Sequence, residues 1–88
     1  MILKFHQDFK KNYERLTPKL QEKVNKTLDL FTQNPWDRAL RNHALKGQMQ
    51  GKRAISVTGD LRILFQEFEN YTIVSLGDVG THAQIYRM

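Results

Sequence analysis

The stretch RAISVTGDLRILFQEFENYTIVSL, residues 53–76, decides the fold, because along it apolar residues alternate with polar ones. Ile55 and Val57 alternate with Ala54, Ser56 and Thr58; Ile63 and Phe65 with Arg62, Leu64 and Gln66; Thr72, Val74 and Leu76 with Tyr71, Ile73 and Ser75. Successive side chains of a strand point to opposite faces, so this period of two marks strands with one buried face. Gly59-Asp60 and Glu69-Asn70 are turn formers, and they divide the stretch into a three-stranded antiparallel meander. If Ile55 and Val57 share a core face with Ile63 and Phe65, the first loop has an odd number of residues. Placed at Gly59 to Leu61, that loop sets Thr58 opposite Arg62 on the face away from the core.

The period changes on the N-terminal side. Phe9, Tyr13 and Leu16 recur at helical spacing among charged residues, which predicts an amphipathic helix over about 8–16. Thr17-Pro18 ends it and begins another: threonine is a good N-cap, and proline suits the first helical position, where its missing N–H is not needed. Leu20, Val24, Leu28 and Phe31 then share one face, with Leu30 beside them, until Asn34-Pro35 stops the helix. Leu3 and Phe5 alternate with Ile2 and Lys4 as a short first strand. The expected class is α+β: a short N-terminal strand and a helical hairpin packed on a small antiparallel sheet.

At 88 residues the chain is expected to be one domain, 1–88, with apolar mass for a single core. No run approaches the length of a membrane span, the first residues turn polar too soon for a signal peptide, and a cytoplasmic location is expected. Cysteine is absent, which excludes disulfides, thiolate metal sites and a thiol nucleophile. Fourteen Lys and Arg against nine Asp and Glu give a net charge of +5, and the basic excess ends at Arg62. Such a surface suits a polyanion such as RNA, or an acidic partner, and equally a merely well-solvated protein.

Cleaving RNA without a metal needs a group to take the 2′-hydroxyl proton, positive charge on the phosphate oxygens, and a group to protonate the leaving 5′-oxygen. Imidazole suits the proton transfers, with an unperturbed pKa near ~6.5. Guanidinium suits the phosphate because it is always charged and bonds two oxygens at once. The chain offers His43, His82, Arg62, Tyr86, Lys46, Lys52 and Arg53 in its second half. Each also has a plainer reading. His82 could cap or pack a short terminal helix, His43 could cap the loop after the second helix, and Arg62 could pair with Asp60 or Asp78. The three other basic residues could be solvated or individually dispensable phosphate contacts. His-Glu-x-x-His, carboxylate clusters, Gly-rich phosphate loops and Ser nucleophile elbows are all missing, so no metal and no cofactor is expected.

Three segments together resemble the RelE/YafQ superfamily of toxins from bacterial toxin-antitoxin pairs. They are Asn42-His43-Ala44-Leu45-Lys46-Gly47, Thr58-Gly59-Asp60-Leu61-Arg62-Ile63-Leu64-Phe65, and the run from Gly77 through Gly80-Thr81-His82 to Tyr86. In the YafQ-like branch a His stands in the loop before the sheet, as His43 does, an Asp follows the first hairpin strand, as Asp60 does, and a Gly-Thr-His with a downstream aromatic closes the chain. The RelE branch carries an Arg in the strand that matches Leu61-Arg62-Ile63-Leu64-Phe65. Departures from the YafQ pattern are Ser56 in place of a strand His, Leu61 in place of an aromatic, and Asp78 in place of an Arg.

The resemblance implies a RelE-like fold and a metal-independent endoribonuclease that cuts mRNA in the ribosomal decoding site and inhibits translation. It implies His82, Arg62, His43, Tyr86 and Asp60 as catalytic residues. Lys46, Lys52 and Arg53 would contact RNA or the ribosome. The implied partners are a cognate antitoxin, mRNA and ribosomal RNA. Two alternatives share the fold: a non-catalytic ParE-like toxin that binds DNA gyrase, and a degenerate relative that binds only its antitoxin.

Overall fold

His6 opens the helical hairpin: its Nδ1 accepts the Asp8 N–H at 3.1 Å, capping α1 (Gln7–Glu14) directly after β1 (Ile2–Phe5). The computed structural model describes residues 1–86. Thr17 caps α2 (Pro18–Gln33), its Oγ1 accepting the Leu20 N–H at 3.3 Å, and Pro18 occupies the first turn. Asn34, with φ −154°, takes the chain out of the helix ahead of Pro35. Both helices thus begin and end within two residues of where capping chemistry places them.

The sheet comprises β1, β2 (His43–Ala44), β3 (Arg53–Ser56), β4 (Leu61–Phe68) and β5 (Ile73–Thr81), in the order β1-β5-β4-β3-β2. The expected meander is its centre. Two strands extend it: β2, in a segment expected as loop, pairs antiparallel with β3, and β1 pairs parallel with β5 through Leu3↔Val74 and Phe5↔Leu76. The sheet is therefore mixed, with a parallel edge. One face buries Ile55, Leu61, Ile63, Phe65, Val74, Leu76 and Val79 against Phe9, Val24 and Phe31 of the helices. Phe31 meets Phe65 edge-on at 5.0 Å.

Register differs from expectation by two residues while keeping its parity. Ser56, not Thr58, lies opposite Arg62, and the three-residue loop is Thr58 to Asp60. Thr58 itself closes the turn, because its Oγ1 accepts the N–H groups of Asp60 and Leu61 at 3.3 and 3.0 Å. Tyr71, expected in the last strand, sits instead in the β4–β5 turn at φ 67°, following Glu69 and Asn70 at φ 55° and 54°. Its N–H donates to Glu67 Oε1 at 3.0 Å, and its ring packs beside Phe31 and Phe65.

β5 also runs past Leu76, where alternation suggested an end. Leu64 pairs with Asp78 and Phe65 with Leu76, so Gly77 has no partner and forms a β-bulge. The extra residue re-phases the strand: Leu76 and Val79, three apart, both face the core. On the opposite face Ala54 and Leu64 are buried, and the short helix α3 (His82–Tyr86) packs over β4 and β5 with Ile85 buried. Among the described residues no helix is long and apolar enough to cross a membrane.

Candidate active site

Three chain segments meet on the α3 side of the sheet around a shallow hollow of about 330 Å³, lined by Arg41, His43, Leu45, Ser56, Arg62, His82 and Tyr86. Four of the five residues expected to be catalytic thus come together: His43 from the edge strand, Arg62 from the middle strand, His82 and Tyr86 from α3.

Arg62 is held by the loop that precedes it. Its Nη1 donates to the carbonyls of Thr58 and Leu61 at 2.8 and 3.1 Å, and its Nη2 donates to that of Gly59 at 3.1 Å. Guanidinium has five N–H groups, so Nε–H and one N–H on Nη2 remain for a ligand. Neither Asp60 nor Asp78 pairs with it, and no carboxylate among the described residues lies within ion-pair distance. Neutral carbonyls orient the cation without cancelling its charge, which is what an anion site requires.

α3 is seated by a reciprocal cap. Thr81 Oγ1 accepts the Gln84 N–H at 3.2 Å, while Gln84 Oε1 accepts the Thr81 N–H at 2.8 Å, the Thr-x-x-Gln capping box. Gly80, opposite Arg62, makes room for it: a Cβ there would stand 2.8 Å from Gln84 Oε1. The His82 N–H donates to the Asp60 carbonyl at 2.9 Å and more weakly to its Oδ1 at 3.4 Å. Asp60 thereby ties the β3–β4 loop, which grips Arg62, to the start of α3, which carries His82. Its position is that of an anchor beside the hollow rather than of a group lining it.

His82 is exposed, and its ring lies 4.3 Å from that of Tyr86, tilted by 58°. The Tyr86 hydroxyl is shielded from solvent, although the ring as a whole is half-buried, and it finds no hydrogen-bond partner among the described residues. Burial pushes the phenol above its ordinary pKa, outweighing the opposing pull of the Arg62 charge. Tyr86 is therefore a neutral donor with a free proton at neutral pH. His43 Nδ1 lies 2.8 Å from the Arg41 carbonyl. A carbonyl can only accept, so the proton sits on Nδ1 and the Nε2 lone pair is left free in the neutral ring.

The three basic residues expected to bind RNA are dispersed. Lys46 is exposed, ahead of a 3₁₀ turn at Gly47–Met49. Lys52 lines a neighbouring hollow of about 450 Å³ with Met49, Leu64, Gln66 and Ser75. Arg53 pairs with Phe65 and so belongs to the helix-side face, where Nε donates to Asn42 Oδ1 at 2.8 Å and the guanidinium stacks 5.0 Å from the Trp36 ring. A single basic face bearing Lys46, Lys52, Arg53 and Arg62 does not form, because strand alternation sends Arg53 and Arg62 to opposite sides.

The departures from the YafQ pattern fall unevenly. Ser56 lines the hollow opposite Arg62. Leu61 is a core residue, and Asp78 braces β5 to α1 by accepting the Asn12 side-chain N–H at 2.7 Å, so neither lines it. Sequence reasoning missed Arg41 as a lining residue, since a non-glycine at φ 51° carries no local signal. Among the described residues no cluster of three or more His, Cys, Asp or Glu could hold a metal ion.

Set against known proteins, residues 1–87 match the family described as bacterial toxin of type II toxin-antitoxin system, YafQ. A search of curated protein sequences finds no match. The crystal structure of YafQ from E. coli superposes with a TM-score of 0.81 at 17% identity, covering 96% of each chain. The E. coli DinJ-YafQ toxin-antitoxin complex gives 0.78 at 17% identity, covering 96% of this chain and 94% of that one. The RelBE2 toxin-antitoxin complex from Mycobacterium tuberculosis gives 0.76 at 17% identity, covering 92% and 96%. At such identities these likenesses establish the RelE-like fold.

Proposed function

Because the chain belongs to the YafQ family of bacterial type II toxin-antitoxin toxins, we propose that it is an endoribonuclease that cuts ribosome-bound mRNA without a metal and is silenced by a cognate antitoxin. The observation that carries this reading is the convergence of two imidazoles, a carbonyl-held guanidinium and an unpartnered phenol in one hollow. A surface that only bound a protein would gain nothing from leaving a shielded hydroxyl without a partner.

The groups divide the work of transesterification. His43, with its free Nε2, takes the 2′-hydroxyl proton as O2′ bonds to phosphorus. The P–O5′ bond breaks, and O5′ takes a proton from the His82 ring, leaving a 2′,3′-cyclic phosphate and a 5′-hydroxyl. Arg62 donates to the non-bridging oxygens while charge builds there, and the shielded Tyr86 hydroxyl joins it once the half-buried ring turns out toward the strand. Asp60 positions His82 through the backbone.

Ribosome dependence is supported by what surrounds these groups. The hollow is shallow, and its strand position opposite Arg62 is Ser56 rather than a second imidazole. Holding the 2′-oxygen in line with the leaving oxygen can account for ~7–11 kcal/mol of a barrier, and mRNA extended in a decoding site supplies that alignment. An antitoxin partner is supported by the E. coli DinJ-YafQ complex, whose toxin shares this fold. Comparison of 5′-end maps of one transcript, naked and under translation, tests the reading. Codon-phased cuts only under translation are expected. Equal cutting of the naked transcript refutes ribosome dependence, and no cutting in either sample, together with inhibited gyrase, favours the non-catalytic alternative instead.

A further inference from the structure

Arg41 has no role in the steps above beyond its carbonyl, yet it lines the same hollow as His43 and Arg62. It closes the 3₁₀ turn Arg38–Leu40 in the left-handed region, φ 51° and ψ 44°, which residues other than Gly, Asn and Asp seldom adopt. Strained backbone that persists is held by its surroundings. Here one bond to His43 and one from the Arg41 N–H to the Arg38 carbonyl, at 3.2 Å, hold it. The guanidinium itself is exposed and makes no hydrogen bond or ion pair among the described residues.

A second hollow, of about 220 Å³, adjoins the first and shares Arg41, Ser56 and Arg62 with it. The rest of its lining includes Thr58 and Gly59, and among the described residues no carboxylate lines either hollow. Two cations therefore flank a small polar floor that continues out of the candidate active site. A lone arginine would suit any anion. Two in adjoining hollows, with one hollow holding the proton-transfer groups, suit a polymer that presents successive negative charges.

We propose that the two hollows form a track for consecutive phosphodiesters of one RNA strand, with Arg62 on the scissile phosphate and Arg41 on its neighbour. This rests on the endoribonuclease reading for the identity of the strand. It adds a phosphate subsite whose cation comes from the turn before β2 rather than from the sheet. Arg41 would then supply a second positive charge that Arg53, turned to the other face, does not.

The test uses fluorescence anisotropy with labelled 2′-O-methyl oligouridylates carrying one, two or three internucleotide phosphates, which cannot be cleaved because the nucleophile is blocked. Wild-type protein tightens its binding on going from one phosphate to two. Arg41→Gln and Arg41→Gly lose that step, roughly two- to fivefold in affinity for an exposed ion pair, and the slope of log affinity against log salt falls by about 0.7. Arg41→Lys keeps both. Arg41→Gly accepts the positive φ without strain, so it decides the matter if the glutamine variant melts early. The subsite is overturned if Arg41→Gln retains the step and the slope, or if the wild type shows no step. Codon-phased cleavage by the wild type, measured in parallel, keeps the endoribonuclease reading in that event. A step that survives in a wild-type protein that cuts nothing refutes the enzyme reading and leaves the track.

Discussion

Replacing Tyr86 by Phe should make the protein more stable and less active at once. The phenol oxygen is shielded and makes no hydrogen bond among the described residues, so folding strips it of water without compensation. An unsatisfied buried hydroxyl costs about 1–3 kcal/mol. The ring is only half-buried, which puts the gain on its removal near the low end, about 1 kcal/mol or a melting temperature higher by roughly 4–8 °C in a domain of this size. The ring contact with His82 at 4.3 Å is retained, so α3 keeps its seat. Losing one donor to the charge-building oxygens should slow cleavage by about 10²- to 10³-fold.

Alkaline titration adds a signature. With the folded-state pKa of Tyr86 raised, the native protein holds this proton more tightly than the unfolded chain. The associated stability is whole below the ordinary tyrosine value of ~10 and is lost as pH climbs through the folded-state value. The Phe variant lacks that share of the alkaline decline. Thermal melts across pH, with primer extension on translated mRNA, measure both effects. A variant that melts lower than wild type, or one that cleaves at the wild-type rate, refutes the idea that the hydroxyl is kept unpaired for use on substrate.

His82→Gln should lower cleavage by roughly 10²- to 10⁴-fold with unchanged melting, since the ring is exposed and the helix start is held through its backbone N–H; a folded variant cutting at full rate would remove His82 from the chemistry. Gly80→Ala would drive a Cβ to 2.8 Å from Gln84 Oε1 and 3.3 Å from Gln84 Cβ. Gln84 Oε1 must swing away and give up its bond to the Thr81 N–H, costing about 0.5–1.5 kcal/mol and loosening the start of α3; unchanged melting and cleavage would show that α3 tolerates the shift. Antitoxin association should slow as salt rises, because screening weakens long-range steering toward the basic surface. Stopped-flow rates equal at low and high salt would argue against charge steering.

The helical hairpin was legible because its signals are local: Thr17-Pro18 and Asn34-Pro35 state where a helix starts and stops. Parity of the β3–β4 hairpin was legible for a similar reason, since Ile55 and Ile63 cannot leave the core face without exposing the whole strand. Its register was not, because Thr58 side-chain bonding decides how early the turn closes. The parallel partnership of Leu3 with Val74 joins residues at opposite ends of the chain and leaves no trace in either segment. His43, Arg62, His82 and Tyr86 were singled out from residue type and motif. Their gathering in one hollow depends on the Gly77 bulge and the Asp60–His82 link, which no spacing announces. The helix-side position of Arg53 was legible too, since it shares the parity of Ile55.

The parallel β1–β5 edge also has a consequence for the timing of assembly. β5 lies between β1 and β4, so a nascent chain stopped before Ile73 exposes two unpaired strand edges with nothing to join them. Loop closure across almost the full sequence must come first, and such long-range pairing is slow. Two of the groups assigned to the chemistry, His82 and Tyr86, follow this last strand directly. Synthesis therefore yields no half-built site: until β5 has been threaded between its neighbours, the emerging polypeptide has neither a finished sheet nor the two α3 side chains that complete the hollow.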